Sequence, residues 1–420
     1  MVTRQHDLAT EAPGPAAPIG ARRSLLTGEL AWSRVHWAIG AVSVAFLLFW
    51  SLVISRRPEM DFDVYRMGGL HVLGSGLYSV HANILGWQLP FIYPPFAALL
   101  FWPISFLSVP AAQALWGILN VIGLVALLSV SVAAARGRKP QREDWRLAAM
   151  LVAPIGLLLF PVYDDLSLGQ INVFLVLMIV ADLTMTLSLK NRPLPHGVLV
   201  GLAAAVKLTP LVFIPYLLLT RQLRAARNAT LTFALATGAM FAIAPGASWA
   251  YWRKDAFDVQ RAGKPLSLSN QSIHALFGRA HLSTSGALFD LCVLIVLGSG
   301  LAVAVVAYRS SSSLLGVLVC AATALLVSPI SWWHHYVWII PVLAWLAFSP
   351  DRPKRGEWWA VGAAFLFVIE PLKLHGLGPL MGLANNDYVT SALVFVALIG
   401  CMLWTRHRRV HRPTLLELTS

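Results

Sequence analysis

Charge is what this chain has least of. Only 12% of its 420 residues are charged, whereas a soluble domain carries about 25%, and 57% are hydrophobic. That balance excludes an ordinary soluble enzyme and leaves a polytopic, all-α membrane protein. Acid is scarcer than base: 19 Asp and Glu stand against 32 Lys and Arg, a net charge of +13. The excess does not indicate a nucleic-acid partner. The basic residues sit in short stretches between apolar runs, the pattern of cytoplasmic loops. Cysteine is nearly absent. Cys292, Cys320 and Cys401 each lie inside an apolar run, which excludes a disulfide framework and a paired-cysteine metal site. Nucleotide-sugar motifs, internal repeats and a second soluble domain are also missing.

What is present is a series of apolar runs; a span requires roughly 20 residues, and somewhat fewer where protein rather than lipid surrounds its ends. The runs fall near 34–54, 113–135, 148–163, 172–190, 229–245, 286–308, 313–330, 336–349, 357–372 and 389–405. Basic stretches mark the cytoplasmic ends: Arg22, Arg23 and Arg34; Arg136 to Arg146; Lys190 and Arg192; Arg221, Arg224 and Arg227; Arg352 to Arg355; Arg406 to Arg412. The segment 196–219 breaks the parity, because basic clusters flank both of its ends. With Lys207 and Pro210 in its middle, it predicts a broken or re-entrant pair of half-helices lining a cavity. The proline-rich stretch 90–110 reads as an interfacial or re-entrant element. The expected architecture is about 10–12 transmembrane helices in one domain over 31–405. A disordered tail precedes it at 1–30 and a short tail follows at 406–420. Both termini are then cytoplasmic. The loops 55–112 and 246–285 lie outside and form the face of the site.

The polar residues at membrane edges gather on that outer face. Asp61 and Asp63 open the first outer loop. They alternate with Phe62 and Val64, so both carboxylates share one face if the segment is extended. They are either solvated loop charges or carboxylates at the mouth of an apolar cavity, where lost hydration makes a stronger base. Asp164 and Asp165 precede Gln170 and Asn172 at the start of a span, where the two amides either bridge helices or meet substrate. Lys207 lies at membrane depth, a costly place that favours an anion such as phosphate; snorkelling to the interface is the alternative. Asn270 and Gln271 are either an amide clamp for sugar hydroxyls or a helix start. In the run from Ser328 to Tyr336, His334 and His335 cannot both face one side of a helix. One imidazole beside free N–H groups makes an anion site, while Trp332 is placed to stack on a sugar or sit in the interfacial belt. No acid or cysteine stands at zinc-ligand spacing.

Taken together, six stretches carry a resemblance: Asp61 to Tyr65, Phe91-Ile-Tyr93-Pro-Pro95, Gly169-Gln170-Ile-Asn172, Gly201 to Pro210, Asn270-Gln271-Ser272, and Ser328 to His335. In order and spacing they resemble the bacterial GT-C glycosyltransferases that use polyprenyl-phosphate sugars, above all the α-1,2-mannosyltransferases of mycobacteria and corynebacteria. The resemblance spans roughly 35–350. It implies an inverting transfer from polyprenyl-phosphate-mannose at the outer face of the plasma membrane. The acceptor would be a mannosylated glycolipid, a phosphatidylinositol mannoside or a lipomannan, and no cofactor beyond the donor is implied. The family pattern places the base at Asp61, with Asp63 at a variable position. Lys207, His334 and His335 would hold the donor phosphate. Tyr65, Tyr93, Gln170, Asn172, Asn270, Gln271 and Trp332 would meet sugar or acceptor. Related members transfer arabinofuranose. From another functional class, a transporter or flippase would also use broken helices and an intramembrane lysine.

Overall fold

The computed structural model describes residues 19–54, 60–74, 76–189, 192–368 and 386–410. Among the described residues the fold is helical, with two minor two-stranded antiparallel pairs. Four described helices are long and apolar enough to cross a membrane: Arg34–Val53, Val109–Ala135, Ala287–Ser310 and Asp387–Arg408. Their outer faces carry bare apolar side chains such as Val42, Phe49 and Leu288, the surface that lipid covers. Six further apolar helices have only 10–17 residues. They are short because extended residues and prolines interrupt the apolar runs.

Helix α1 (Ile19–Ile54) begins before residue 30, the boundary expected for the N-terminal tail; residues 1–18 lie outside the described part. The last described helix, Asp387–Val410, likewise runs past 405, and 411–420 lie outside. Between α1 and the first central span, helix α2 (Met60–His71) is followed by the hairpin β1 (His81–Ile84) and β2 (Trp87–Pro90). Helix α3 (Pro95–Ser105) then leads into α4 (Val109–Ala135). The stretch 90–110 is therefore a short helix, not a span. Helices α2 and α3 touch backbone to backbone: a Cβ on Gly69 would lie 2.7 Å from the Phe101 carbonyl oxygen.

Two apolar runs are broken. The run expected as one span over 148–163 is α5 (Arg142–Leu158) and α6 (Phe160–Leu168), bent by 85°. Leu159 at the joint is extended, and Pro161 opens the new helix, where its missing N–H costs nothing. Helix α6 closes on Gly169 in the left-handed region, with the Gln170 N–H on the Asp165 carbonyl at 2.8 Å. Helix α7 (Asn172–Thr184) starts from that turn. Asp164 and Asp165 thus sit on helix α6, just ahead of the turn that starts α7.

The second break is the expected one. Helix α8 (Val198–Val206) stops at Lys207, whose backbone is extended. A 3-10 turn, Thr209–Val212, carries Pro210, and α9 (Phe213–Leu219) resumes. Helices α10 (Leu223–Ile243) and α11 (Pro245–Arg253) follow, and α12 (Ile273–Arg279) completes the 246–285 loop. Helices α13 (Ala287–Ser310) and α14 (Ser313–Val327) lead to a 3-10 segment, Trp333–Trp338, then α15 (Ile339–Phe348) and α16 (Gly356–Val368).

Candidate active site

One large cavity, about 840 Å³, opens where α2, the β1–β2 hairpin, the α6–α7 turn, the break after α8, the 246–285 loop and the Trp333–Trp338 segment converge. Of the residues singled out in the sequence, Asp61, Tyr65, Tyr93, Gln170, Lys207, Trp332, His334 and His335 line it.

Asp61 and Asp63 separate. The segment is helical, not extended, and positions i and i+2 of a helix do not face the same way. Asp61 lines the cavity and accepts from the Gln170 side-chain N–H at 2.7 Å. Asp63 is not on the cavity wall; its Oδ1 accepts from Gln113 on α4 at 3.1 Å. Burial raises the Asp61 pKa above the ordinary carboxylate value, opposed first by the charge of His334 and then by the Gln170 hydrogen bond. The amide of Gln170 is held from its other end. Its Oε1 accepts from the Tyr65 hydroxyl at 2.7 Å, and the Tyr65 and Tyr93 hydroxyls lie 2.9 Å apart. Gln170 therefore presents a donor to Asp61 because the tyrosines have taken its acceptor.

The cationic wall is built on the two non-helical segments. The Lys207 ammonium donates to Asn172 Oδ1 and to His335 Nε2, each at 2.9 Å. An ammonium only donates, so His335 Nε2 accepts and its proton sits on Nδ1. Two of the three ammonium protons are thereby placed, and one is left for the cavity. His334 Nδ1 lies 2.9 Å from Asp164 Oδ2, which fixes that proton and leaves Nε2, buried and without a protein partner, as the free ring nitrogen. The two imidazoles lie on adjacent residues yet both reach the cavity, against the expectation for a regular helix. The 3-10 geometry, distorted at Tyr336, permits it.

Three sequence-flagged amides act behind this wall. Asn172 also donates to Asp165 at 2.8 Å, which links the buried acid to Lys207. Asn270 and Gln271 do not line the cavity and are fully buried. Asn270 donates to the carbonyls of Pro265 (2.7 Å) and Pro329 (3.0 Å) and accepts from the Ser331 N–H (2.8 Å). Gln271 bonds the Leu268 carbonyl and the N–H groups of Tyr388 and Val389. Their amides are spent on backbone, where an amide clamp for sugar was one expectation. They tie the outer loop to the strand entering Trp332, His334 and His335.

Residues that the sequence reading left without a role also appear. Asp164 orients His334, and Asp165 faces the Asn172–Lys207 pair. The acidic pair before Gln170 was the available signal. Arg261 donates to the Tyr78 carbonyl at 2.9 Å, pairs with Asp255 at 3.4 Å and lines the cavity beside the first loop. Nothing in the sequence pairs 261 with 78.

This geometry, one partly buried carboxylate sharing a single cavity with lysine and histidine, coincides with a family match. The glycosyltransferase family 87 profile matches residues 91–329. The chain belongs to glycosyltransferase family 87. A polyprenol-phosphate-mannose-dependent alpha-(1-2)-phosphatidylinositol mannoside mannosyltransferase of Mycolicibacterium smegmatis is 34% identical over 417 residues, covering 91% of this chain and 92% of that protein. A protein of the same description from Mycobacterium tuberculosis is 33% identical over 324 residues, 73% of this chain and 74% of its own length. A polyprenol-phosphate-mannose-dependent alpha-(1-2)-phosphatidylinositol pentamannoside mannosyltransferase of M. smegmatis is 33% identical over 324 residues, 75% and 76% respectively. No solved structure gives a match of comparable strength. The family 87 enzyme is thus a membrane glycosyltransferase. The match begins at Phe91 and so leaves out Asp61, while the M. smegmatis relative's 91% coverage reaches well beyond 91–329.

Proposed function

We propose that this glycosyltransferase moves mannose from a polyprenyl-phosphate-mannose to a 2-hydroxyl of a phosphatidylinositol mannoside, with inversion, at the extracytoplasmic face. The observation that carries the reading is the pairing of a partly buried carboxylate, Asp61, with the Lys207–His335–His334 wall across one cavity. Asp61 takes the acceptor hydroxyl proton as that oxygen bonds the anomeric carbon, and the bond from that carbon to the phosphate oxygen breaks. The polyprenyl phosphate leaves with its extra negative charge. Lys207, held by His335, meets that charge as it grows, and His334 adds to it through its free Nε2 when that nitrogen carries a proton, so the transition state is stabilised more than the bound donor. The leaving group is already a phosphate, so a general acid is not required.

The placement of basic residues supports an outer site with cytoplasmic termini. Arg136 and Arg138 follow the far end of α4 and pair with the buried Asp144. The near end of α4 places Trp116 on the Gly169 carbonyl at 2.7 Å, beside the cavity. The two ends of a 27-residue helix lie about 40 Å apart. Membranes supplied with radiolabelled polyprenyl-phosphate-mannose and a panel of phosphatidylinositol mannosides test the reading. The expected result is a lipid-linked α-1,2-mannosyl product that depends on Asp61. Uptake without product, or transfer only from an arabinofuranosyl donor, overturns it.

A further inference from the structure

A second cavity, about 610 Å³, lies at the opposite end of the bundle from the active site. Helix α7 leaves the active site at Asn172 and reaches this cavity at Thr184; α8 runs the other way, from near His196 to Lys207; α14 starts here at Ser313 and ends at the active-site side. The lining is mixed: Arg221, Arg224, His196, Gln222 and Ser313 supply basic and polar groups, and Leu183, Met185 and Leu223 apolar surface. Arg221 and Arg224 are exposed, and neither forms an ion pair among the described residues.

Two local choices here run against backbone and helix preferences. Arg221 has φ +61°, in the left-handed region. It closes α9 in the turn where the Arg221 N–H meets the Leu218 carbonyl and the Gln222 N–H meets the Leu217 carbonyl. Glycine is favoured at that position, and a side chain there is strained. Arg224 stands in the first turn of α10, where the helix dipole is already positive and no acidic residue is present. Gln222 before it offers no side-chain cap to the first N–H groups of α10. Positive charge is thus concentrated at one cavity against local preference, and an anion there offsets the unfavourable charge of Arg224 at the helix start. Apolar surface adjoins it: Leu223 lines the cavity, and Leu218 and Leu219, just before Arg221 in the chain, are exposed, which suits acyl chains rather than a free ion.

We infer that this cavity binds the phosphodiester headgroup of an anionic phospholipid, with Arg221 and Arg224 on the phosphate and Leu218, Leu219 and Leu223 along the acyl chains. The site is separate from the transferase cavity and shares no lining residue with it.

Native mass spectrometry of the full detergent-solubilised chain, titrated with phosphatidylglycerol and with phosphatidylcholine of the same acyl chains, tests this. Two arginines beside one phosphate are expected to hold phosphatidylglycerol about 10-fold or more tighter. Arg221→Gly fits the left-handed turn, so its Tm in lipid-free detergent should equal or exceed wild type while the preference falls. Arg221→Gly with Arg224→Gln should abolish the preference and leave transferase activity in phosphatidylcholine bilayers unchanged, which separates this site from the catalytic one. Equal retention of the two lipids by wild type, or an unchanged preference in the double variant, overturns the proposal and leaves the arginines a role in membrane orientation only. Displacement of the bound lipid by millimolar inorganic phosphate as readily as by phosphatidylglycerol overturns it in favour of a simple anion site.

Discussion

Replacing Asp61 by Asn is the most informative single change. The carboxamide keeps the size of the side chain and can still accept the Gln170 N–H, now at 2.7 Å. What it loses is the capacity to take a proton. Removal of a positioned base costs about 10² to 10⁴ in rate, or roughly 2.7–5.5 kcal/mol of transition-state stabilisation. Stability should move the other way. Burial raises the Asp61 pKa above its unfolded value of 3.8, so the charged form is the one that folding disfavours. The stabilising effect of the protonated acid is fully present below pH 3.8 and is lost as pH rises through the raised folded value. Asn is neutral at every pH. At pH 7 the Asn variant should therefore melt at or above the wild-type temperature, with the difference vanishing toward pH 4. The assay is mannosyl transfer in purified membranes together with thermal melting of the same preparation. The raised pKa also places the acid limb of the wild-type rate profile above the ordinary carboxylate range. Near-normal turnover of the Asn variant refutes the assignment. So does a loss of activity that merely follows a fall in Tm. Asp63→Asn should stay within a few-fold of wild type, because its Gln113 contact survives and it does not line the cavity.

Lys207→Met keeps the apolar stem and removes a charge-assisted contact, so kcat and donor affinity should together fall about 10- to 100-fold; normal kcat and KM in a well-folded variant would show that the lysine only snorkels. His335→Ala removes the acceptor that holds Lys207, and steady-state kinetics should show a lower kcat, whereas a purely structural histidine would lower protein yield and spare specific activity. Gly197→Ala should cost several kcal/mol, because φ is +96° and a Cβ would sit 2.0 Å from the Ala225 carbonyl oxygen; unaltered melting would refute that packing. Asp144→Ala strips the capping box of α5 and the partner of Arg136 and Arg138, for an expected loss of about 1–3 kcal/mol read by melting in detergent.

Composition alone determined that the chain is a helical membrane protein, since a shortage of charge and a surplus of apolar runs allow little else. The break at Lys207 was also legible. Basic residues at both ends of 196–219 cannot belong to one span, and Pro210 cannot continue a helix. So was the company of Asp61, Gln170, Lys207, His334 and His335, because charge at membrane edges is costly enough to be kept for function. Tertiary structure decided which of these groups meet. Asp61 and Asp63 are two residues apart in either conformation. Only packing of α2 on α3 and α4 turned the segment helical and sent one carboxylate to the cavity and the other to Gln113. The 85° bend at Leu159 carried Asp164 to His334, a pairing across 170 positions that no local pattern encodes. Asn270 and Gln271 have the residue types of a sugar clamp, yet their partners are backbone groups at Pro265, Pro329, Ser331 and Tyr388. A side-chain amide bonds a hydroxyl and a peptide group equally well, so its role is set by what the fold places within 3 Å of it.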